Sequence, residues 1–143
     1  MTLYLLDTNV ISEVTRTAPS PVLARWLRQQ LDTDLFISAL TVAEVWRGVR
    51  EKEGGRKRRD LEAWFHGPDG PQALFRGRVL PFEERAALAW GQIMADGRPT
   101  GRTRSALDMV IAATAIANGC TVVTVNERHF KDVVEFINPL RAA

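Results

Sequence analysis

Short runs of β-forming residues alternate with amphipathic helical stretches along the whole chain, and that alternation constrains the fold more than any other feature. Leu3–Leu6, Leu35–Ser38, Arg78–Pro81, Thr121–Val125 and Val134–Ile137 read as strands. They are apolar on both alternating positions, as strands buried on two faces are. Between them lie segments with helical periodicity: Thr8–Arg16, the stretch from Ser20-Pro21 through Val22, Leu23, Trp26, Leu27 and Leu31, Thr41 to about Lys52, Leu61–Phe65, Phe82 to about Ala95, and Ser105–Asn118. Serine followed by proline suits a helix opening, and Gly119 a helix stop. His66-Gly67-Pro68-Asp69-Gly70-Pro71 and Asp96–Thr103 read as loops. Strands connected by helices predict an α/β fold with a central parallel sheet covered on both faces. With 143 residues, no internal repeat and no composition break, residues 1–143 are expected to form one domain.

Composition excludes several classes. Hydrophobic residues make up 45% of the chain, enough for a packed core. The first apolar run is too short for a secretion signal and the longest ones too short for a membrane span. Cys120 has no partner for a disulfide. A soluble, cytoplasmic protein is expected. The net charge of +2 says little, but its distribution says more. Basic residues crowd positions 47–59, and Arg98, Arg102 and Arg104 precede Asp108. Such clusters can follow a phosphate backbone or simply form solvated helix faces.

Three acids end or enter apolar runs: Asp7 in LYLLDTN, Glu44 in ISALTVAEVWRG and Asp108 in SALDMVIAATAIA. Each has a structural explanation. Asp7 can cap the helix after it; Thr41-Val42-Ala43-Glu44 matches a capping box, and Ser105-Ala106-Leu107-Asp108 does so more loosely. Together they suggest more. In an open parallel sheet, ligands bind beyond the carboxyl ends of the strands. Asp7 and Asn126 each follow a strand, and Glu44 and Asp108 each lie one turn into a helix near a sheet edge. Carboxylates, an amide and waters suit a hard cation such as magnesium or manganese. A cation there would activate water and stabilise charge on a scissile phosphate. Glu44 is the candidate general base. Thr8, Asn9, Ser38 and Thr124 are candidates to hydrogen-bond the acids, or else ordinary turn and cap residues. Arg47, Arg50 and Arg104 are candidate contacts to the phosphate backbone of a substrate.

Four segments, YLLDTNVISE, ISALTVAEVWRGV, SALDMVIAATAIANG and TVVTVNERHF, resemble the PIN-domain ribonucleases, specifically the VapC-type toxins of bacterial toxin–antitoxin pairs and most closely their FitB-like branch. The resemblance implies a three-layer α/β/α sandwich and a Mg2+- or Mn2+-dependent endoribonuclease. It maps the acidic site onto Asp7, Glu44 and Asp108, with the fourth, more variable position at Asn126. It also implies a homodimer, and a cognate VapB- or FitA-like antitoxin that masks the site and directs operator DNA binding. The chain departs from the pattern where many relatives carry an acid, having Asn126 and His129, and where many carry a basic residue, having Val125. His129, beside Phe130, reads first as a packing and hydrogen-bonding residue, with proton donation or an RNA contact as the alternative. Trp26, Trp46, Trp64 and Trp90 fall at core-like helical positions, with Trp46 and Trp64 the better interface candidates.

Other readings compete. A catalytically inactive PIN-like scaffold that binds RNA or a partner would have no need of all three acids. A phosphatase using Asp7 as nucleophile would need an acid where Asn9 stands. A nucleotide-binding Rossmann enzyme would need a glycine-rich phosphate loop after the first strand, and none is present.

Overall fold

The computed structural model describes residues 1–15 and 18–141. In chain order its elements are β1 (Leu3–Leu6), α1 (Thr8–Val14), α2 (Pro21–Arg28), β2 (Leu35–Ser38), α3 (Ala39–Arg50), α4 (Arg56–His66), α5 (Pro71–Leu74), β3 (Val79–Leu80), α6 (Glu84–Gly97), α7 (Ala106–Asn118), β4 (Cys120–Val123), α8 (Glu127–Phe130) and β5 (Phe136–Ile137). The five strands form one sheet in the order β3-β2-β1-β4-β5, every neighbouring pair parallel.

Alternation along the central strands produces the three layers. Leu5 of β1 and Val122 of β4 join a core with Ile93, Met109, Ile111, Ala112 and Phe130, on the α6–α7 side. The next residues, Leu6 and Val123, join the opposite core with Val10, Ile11, Leu23, Trp26 and Phe75. Successive side chains of a strand point to opposite faces, so both faces of β1 and β4 are buried. The chain is thus an α/β/α sandwich.

The helix ends follow local chemistry. Ser20 caps α2 by accepting from the Leu23 amide, and Pro21 opens the helix. Gly119 closes α7 at φ +66, a left-handed conformation in which a β-carbon is strained. Several expected boundaries move, and the short helices α5 and α8 fall where none was expected. Helix α3 begins at Ala39 rather than Thr41, because Ser38 at the end of β2 is the cap, its hydroxyl accepting from the Thr41 amide. The expected Thr41–Glu44 capping box therefore does not form, and Thr41 is buried inside the first turn. Helix α4 starts five residues before Leu61, absorbing the basic segment. Phe82 lies outside α6, which starts at Glu84. Arg16, expected to end the first helix, is outside the described residues. Of the four tryptophans only Trp26 is buried, and Trp46, Trp64 and Trp90 are half-exposed. Among the described residues no helix is long and apolar enough to cross a membrane.

Arg78, just before β3, clasps one corner of the sheet. Its guanidinium donates to the carbonyls of Asp32, Leu35 and Leu74 and stacks over the Phe75 ring. Nothing local in the sequence marked it for that role.

Candidate functional site

The strand order reverses at β1: β2 lies on one side and β4 on the other. That switch point opens a crevice at the carboxyl ends of β1 and β4. Asp7 is the first residue after β1, and its amide donates to the Val123 carbonyl of β4 at 2.9 Å. It caps α1, with Oδ1 accepting from the Thr8 amide at 2.8 Å. The other oxygen, Oδ2, accepts from the Thr124 hydroxyl at 2.8 Å, from a residue 117 positions away. Thr124 Oγ1 in turn accepts from the Asn126 amide at 3.0 Å. Asn126 therefore sits two residues from the Asp7 contact, at the rim, with its side chain exposed.

Asp7 is only 3% exposed. Burial pushes its carboxyl up from 3.8 to about 6, the charge of Asp108 and then that of Glu44 push the same way, and the Thr124 hydroxyl and Thr8 amide oppose them. All three acids thus share one electrostatic neighbourhood, although they come from β1, α3 and α7.

Glu44 is held by a chain of hydroxyls. Thr8 Oγ1 donates to Glu44 Oε1 at 2.6 Å and lies 2.9 Å from Thr41 Oγ1, while Ser38 Oγ donates to Thr41 Oγ1 at 3.2 Å. A hydroxyl has one proton. With the Thr8 proton spent on Glu44, Thr41 must donate to Thr8, so the relay runs from Ser38 through Thr41 and Thr8 to the carboxylate. Thr41 was missed by sequence reasoning, which assigned it to a cap. Asn9, on the first turn of α1, keeps its Oδ1 buried and without a hydrogen-bond partner.

Asp108 lies in the first turn of α7, whose N-terminus faces the same sheet edge because the helix runs back against the strands. Ser105 caps that helix, accepting from the Asp108 amide, and the Trp90 indole donates to the Ala106 carbonyl, tying the helix start to α6. The Asp108 side chain does not return to Ser105 as a full capping box requires. Its Oδ2 lies 2.6 Å from His129 Nδ1. His129 thus touches an acid of the site directly, on the α8 side.

The three candidate RNA contacts are placed differently. Arg47 and Arg50, in the last turn of α3, pair with Glu51 and Glu62. Arg104 turns its guanidinium to the Ile93 carbonyl. Among the described residues no three His, Cys, Asp or Glu side chains stand close enough to grip one ion together.

The PIN domain family matches residues 4–135. The chain belongs to the PIN-domain family. Within it, the chain is 34% identical to the VapC ribonuclease Y4jK of Sinorhizobium fredii, covering 99% of this chain and 100% of that protein. It is 39% identical to Toxin FitB of Neisseria gonorrhoeae, over 85% of this chain and 86% of FitB. The solved structure of FitAB bound to an IR36 DNA fragment superposes with a TM-score of 0.88 at 36% identity, covering 99% and 98% of the two chains. This PIN domain is therefore of the VapC type, and the segments carrying Asp7, Glu44, Asp108 and Asn126 lie inside the matched range.

Proposed function

We propose that the protein is an endoribonuclease toxin of a VapBC-type pair, dependent on Mg2+ or Mn2+, with Asp7, Glu44 and Asp108 holding the cation. One observation carries the site assignment: Asp7, buried at the switch point, is raised to about 6 by burial reinforced by two other carboxylates. Carboxylates brought together in a poorly solvated crevice oppose their own ionisation, and a hard cation relieves that cost. Magnesium is commonly bound through one or two carboxylates with waters filling the remainder, so one or two of these acids would ligate it directly and the rest through bound water. Bound there, the cation supplies charge for the scissile phosphate and acidity for water.

The chain's own groups do the rest. Thr124 and the Thr8 amide fix both oxygens of Asp7. The hydroxyl relay aims Glu44, which takes the proton of the attacking water. His129 steadies Asp108, and Asn126 contributes an uncharged amide at the rim. One water is consumed for each phosphodiester bond cut. The similarity to FitB and Y4jK supports the same reading. The FitAB–DNA structure further supports a cognate VapB- or FitA-like antitoxin that inhibits the enzyme and carries operator DNA binding; the proposed toxin is a homodimer.

Cleavage of total RNA in Mg2+ tests this. Asp7→Asn and Asp108→Asn should each lose at least about 100-fold in rate, roughly what removal of a metal-site or charge-stabilising group costs, with circular dichroism unchanged. Undiminished cleavage in either variant would overturn the site. Equal, negligible cleavage in wild type and both variants would favour the inactive scaffold.

A further inference from the structure

A crevice carrying three carboxylates repels the polyanion it is meant to cut, so the substrate needs cations nearby to hold it. Of the three residues expected to do this from sequence, Arg47 and Arg50 are paired with Glu51 and Glu62, and only Arg104 joins the group of cations around a cavity of about 350 Å³ next to Asp108. Its walls come from two segments. Arg102 and Arg104 stand on the loop before α7. Arg128, His129 and Lys131 stand on α8 and the residue after it, with Asp132 the one acid among the lining groups.

The cavity is built rather than accidental. Arg104 anchors its loop wall by donating to the Ile93 carbonyl and lying flat on Gly97, where a β-carbon would sit 2.5 Å from Arg104 Cδ. Arg102, Arg128 and Lys131 are exposed, and among the described residues none of the three makes an ion pair. Arg47, Arg50, Arg58 and Arg141 have acidic partners, and other cations without one among the described residues, such as Arg56, Lys57 and Arg59, do not line this cavity. With Arg104, the three cations Arg102, Arg128 and Lys131 outnumber the single acid Asp132 around one hollow, and the local positive field draws an anion. The cavity also adjoins the acidic site: His129 lines it and contacts the Asp108 carboxylate at 2.6 Å, and Ser105 lines it and accepts from the Asp108 amide. No phenylalanine, tyrosine or tryptophan lines it, so it offers no wide platform for base stacking.

We propose that this cavity holds a backbone phosphate of single-stranded RNA beside the scissile linkage, with Arg102, Arg128 and Lys131 as charge partners. The proposal rests on the ribonuclease reading above and adds to it where the strand leaves the acidic site. Contacts of this kind position a strand without reading its sequence. They also release counterions, by about 0.7 in the slope of log K against log salt for each phosphate neutralised on a single strand.

The probe is a fluorescein-labelled, mixed-sequence 20-nucleotide RNA. Its binding is followed by anisotropy in EDTA across a KCl series, for the wild type, Arg102→Gln/Arg128→Gln/Lys131→Gln, and the control Arg85→Gln, which borders a separate cavity. The triple variant should flatten the slope by about 0.7, the value for one phosphate, and weaken binding at least tenfold at moderate salt. In Mg2+ its KM for the same RNA should rise far more than its kcat falls, and the control should match the wild type in both assays. Arg102→Gln alone, on an exposed loop, should weaken binding about threefold at moderate salt and flatten the slope by less than the full value of about 0.7, which keeps the test if the triple variant does not fold. An unchanged slope in variants of a wild type that cuts RNA overturns the cavity assignment alone. An unchanged slope with loss of antitoxin binding overturns it in favour of a protein interface. A wild type that neither binds nor cuts RNA overturns the ribonuclease reading as well.

Discussion

Removing the charge of Asp7 should make the metal-free protein more stable while destroying its activity. The folded protein holds this carboxyl's proton up to about pH 6, whereas the unfolded chain releases it near 3.8. A carboxyl raised in the folded state contributes stability that is full below the unfolded value and is lost as pH climbs through the folded one. The difference of roughly two pH units, at about 1.4 kcal/mol each, is about 3 kcal/mol of native-state destabilisation at pH 8. Asparagine keeps the shape and can accept from the Thr8 amide. Its NH2 then meets Thr124 Oγ1, whose own proton must find a new acceptor, at a cost of about 1 kcal/mol. The net gain for Asp7→Asn is about 2 kcal/mol at pH 8, or roughly 5 °C in Tm for a chain of this size. At pH 4 most of the charge term disappears, and the variant should melt at or slightly below the wild type. Calorimetry in EDTA at pH 4, 6 and 8 reads this directly. Millimolar Mg2+ should then raise the Tm of the wild type and leave that of Asp7→Asn nearly unmoved. A variant less stable than the wild type by the same margin at every pH would refute the argument, because the carboxylate would then be a net structural asset.

Three further outcomes follow from named contacts. Thr124→Val keeps the volume but leaves Asp7 Oδ2 and the Asn126 amide without their partner; urea unfolding at pH 8 should show a loss of about 2 kcal/mol, and a loss below about 0.5 would mean that water replaces the hydroxyl at no cost. Thr8→Val cuts the relay at its last link, so Glu44 loses its donor and the buried Thr41 hydroxyl its acceptor; kcat in the RNA assay should fall about 10- to 100-fold, and a rise in KM alone would count against an orienting role. Arg78→Met strips three carbonyls of their donor and should cost about 2–3 kcal/mol in thermal or urea unfolding, with RNA cleavage per folded molecule unchanged; a near-neutral result would show that solvent satisfies those carbonyls.

How much of this was legible beforehand depends on the range over which each signal acts. The order of the strands and longer helices, the burial of both sheet faces, Ser20-Pro21 as a helix opening and Gly119 as a stop all follow from neighbours within a few residues, whereas α5 and α8, one turn each, are too short to show a periodicity. Asp7 could be placed at a sheet edge because it ends an apolar run. The first turn of α3 was misjudged because two hydroxyls, Ser38 and Thr41, stood three residues apart, and local pattern alone did not say which was the cap.

The chain's own letters thus determined the α/β/α layering and the candidate acids, since periodicity and capping are written in adjacent residues. Only the packed sheet decided what those acids touch. The order β3-β2-β1-β4-β5 sets β4 beside β1, and with it Thr124 against Asp7 across 117 positions. The same packing puts His129 on Asp108, joins Ser38, Thr41 and Thr8 into one relay, and leaves Arg102, Arg128 and Lys131 around one cavity. Those pairings are made by strand order and helix docking, which act across the chain, and no short window of sequence contains them.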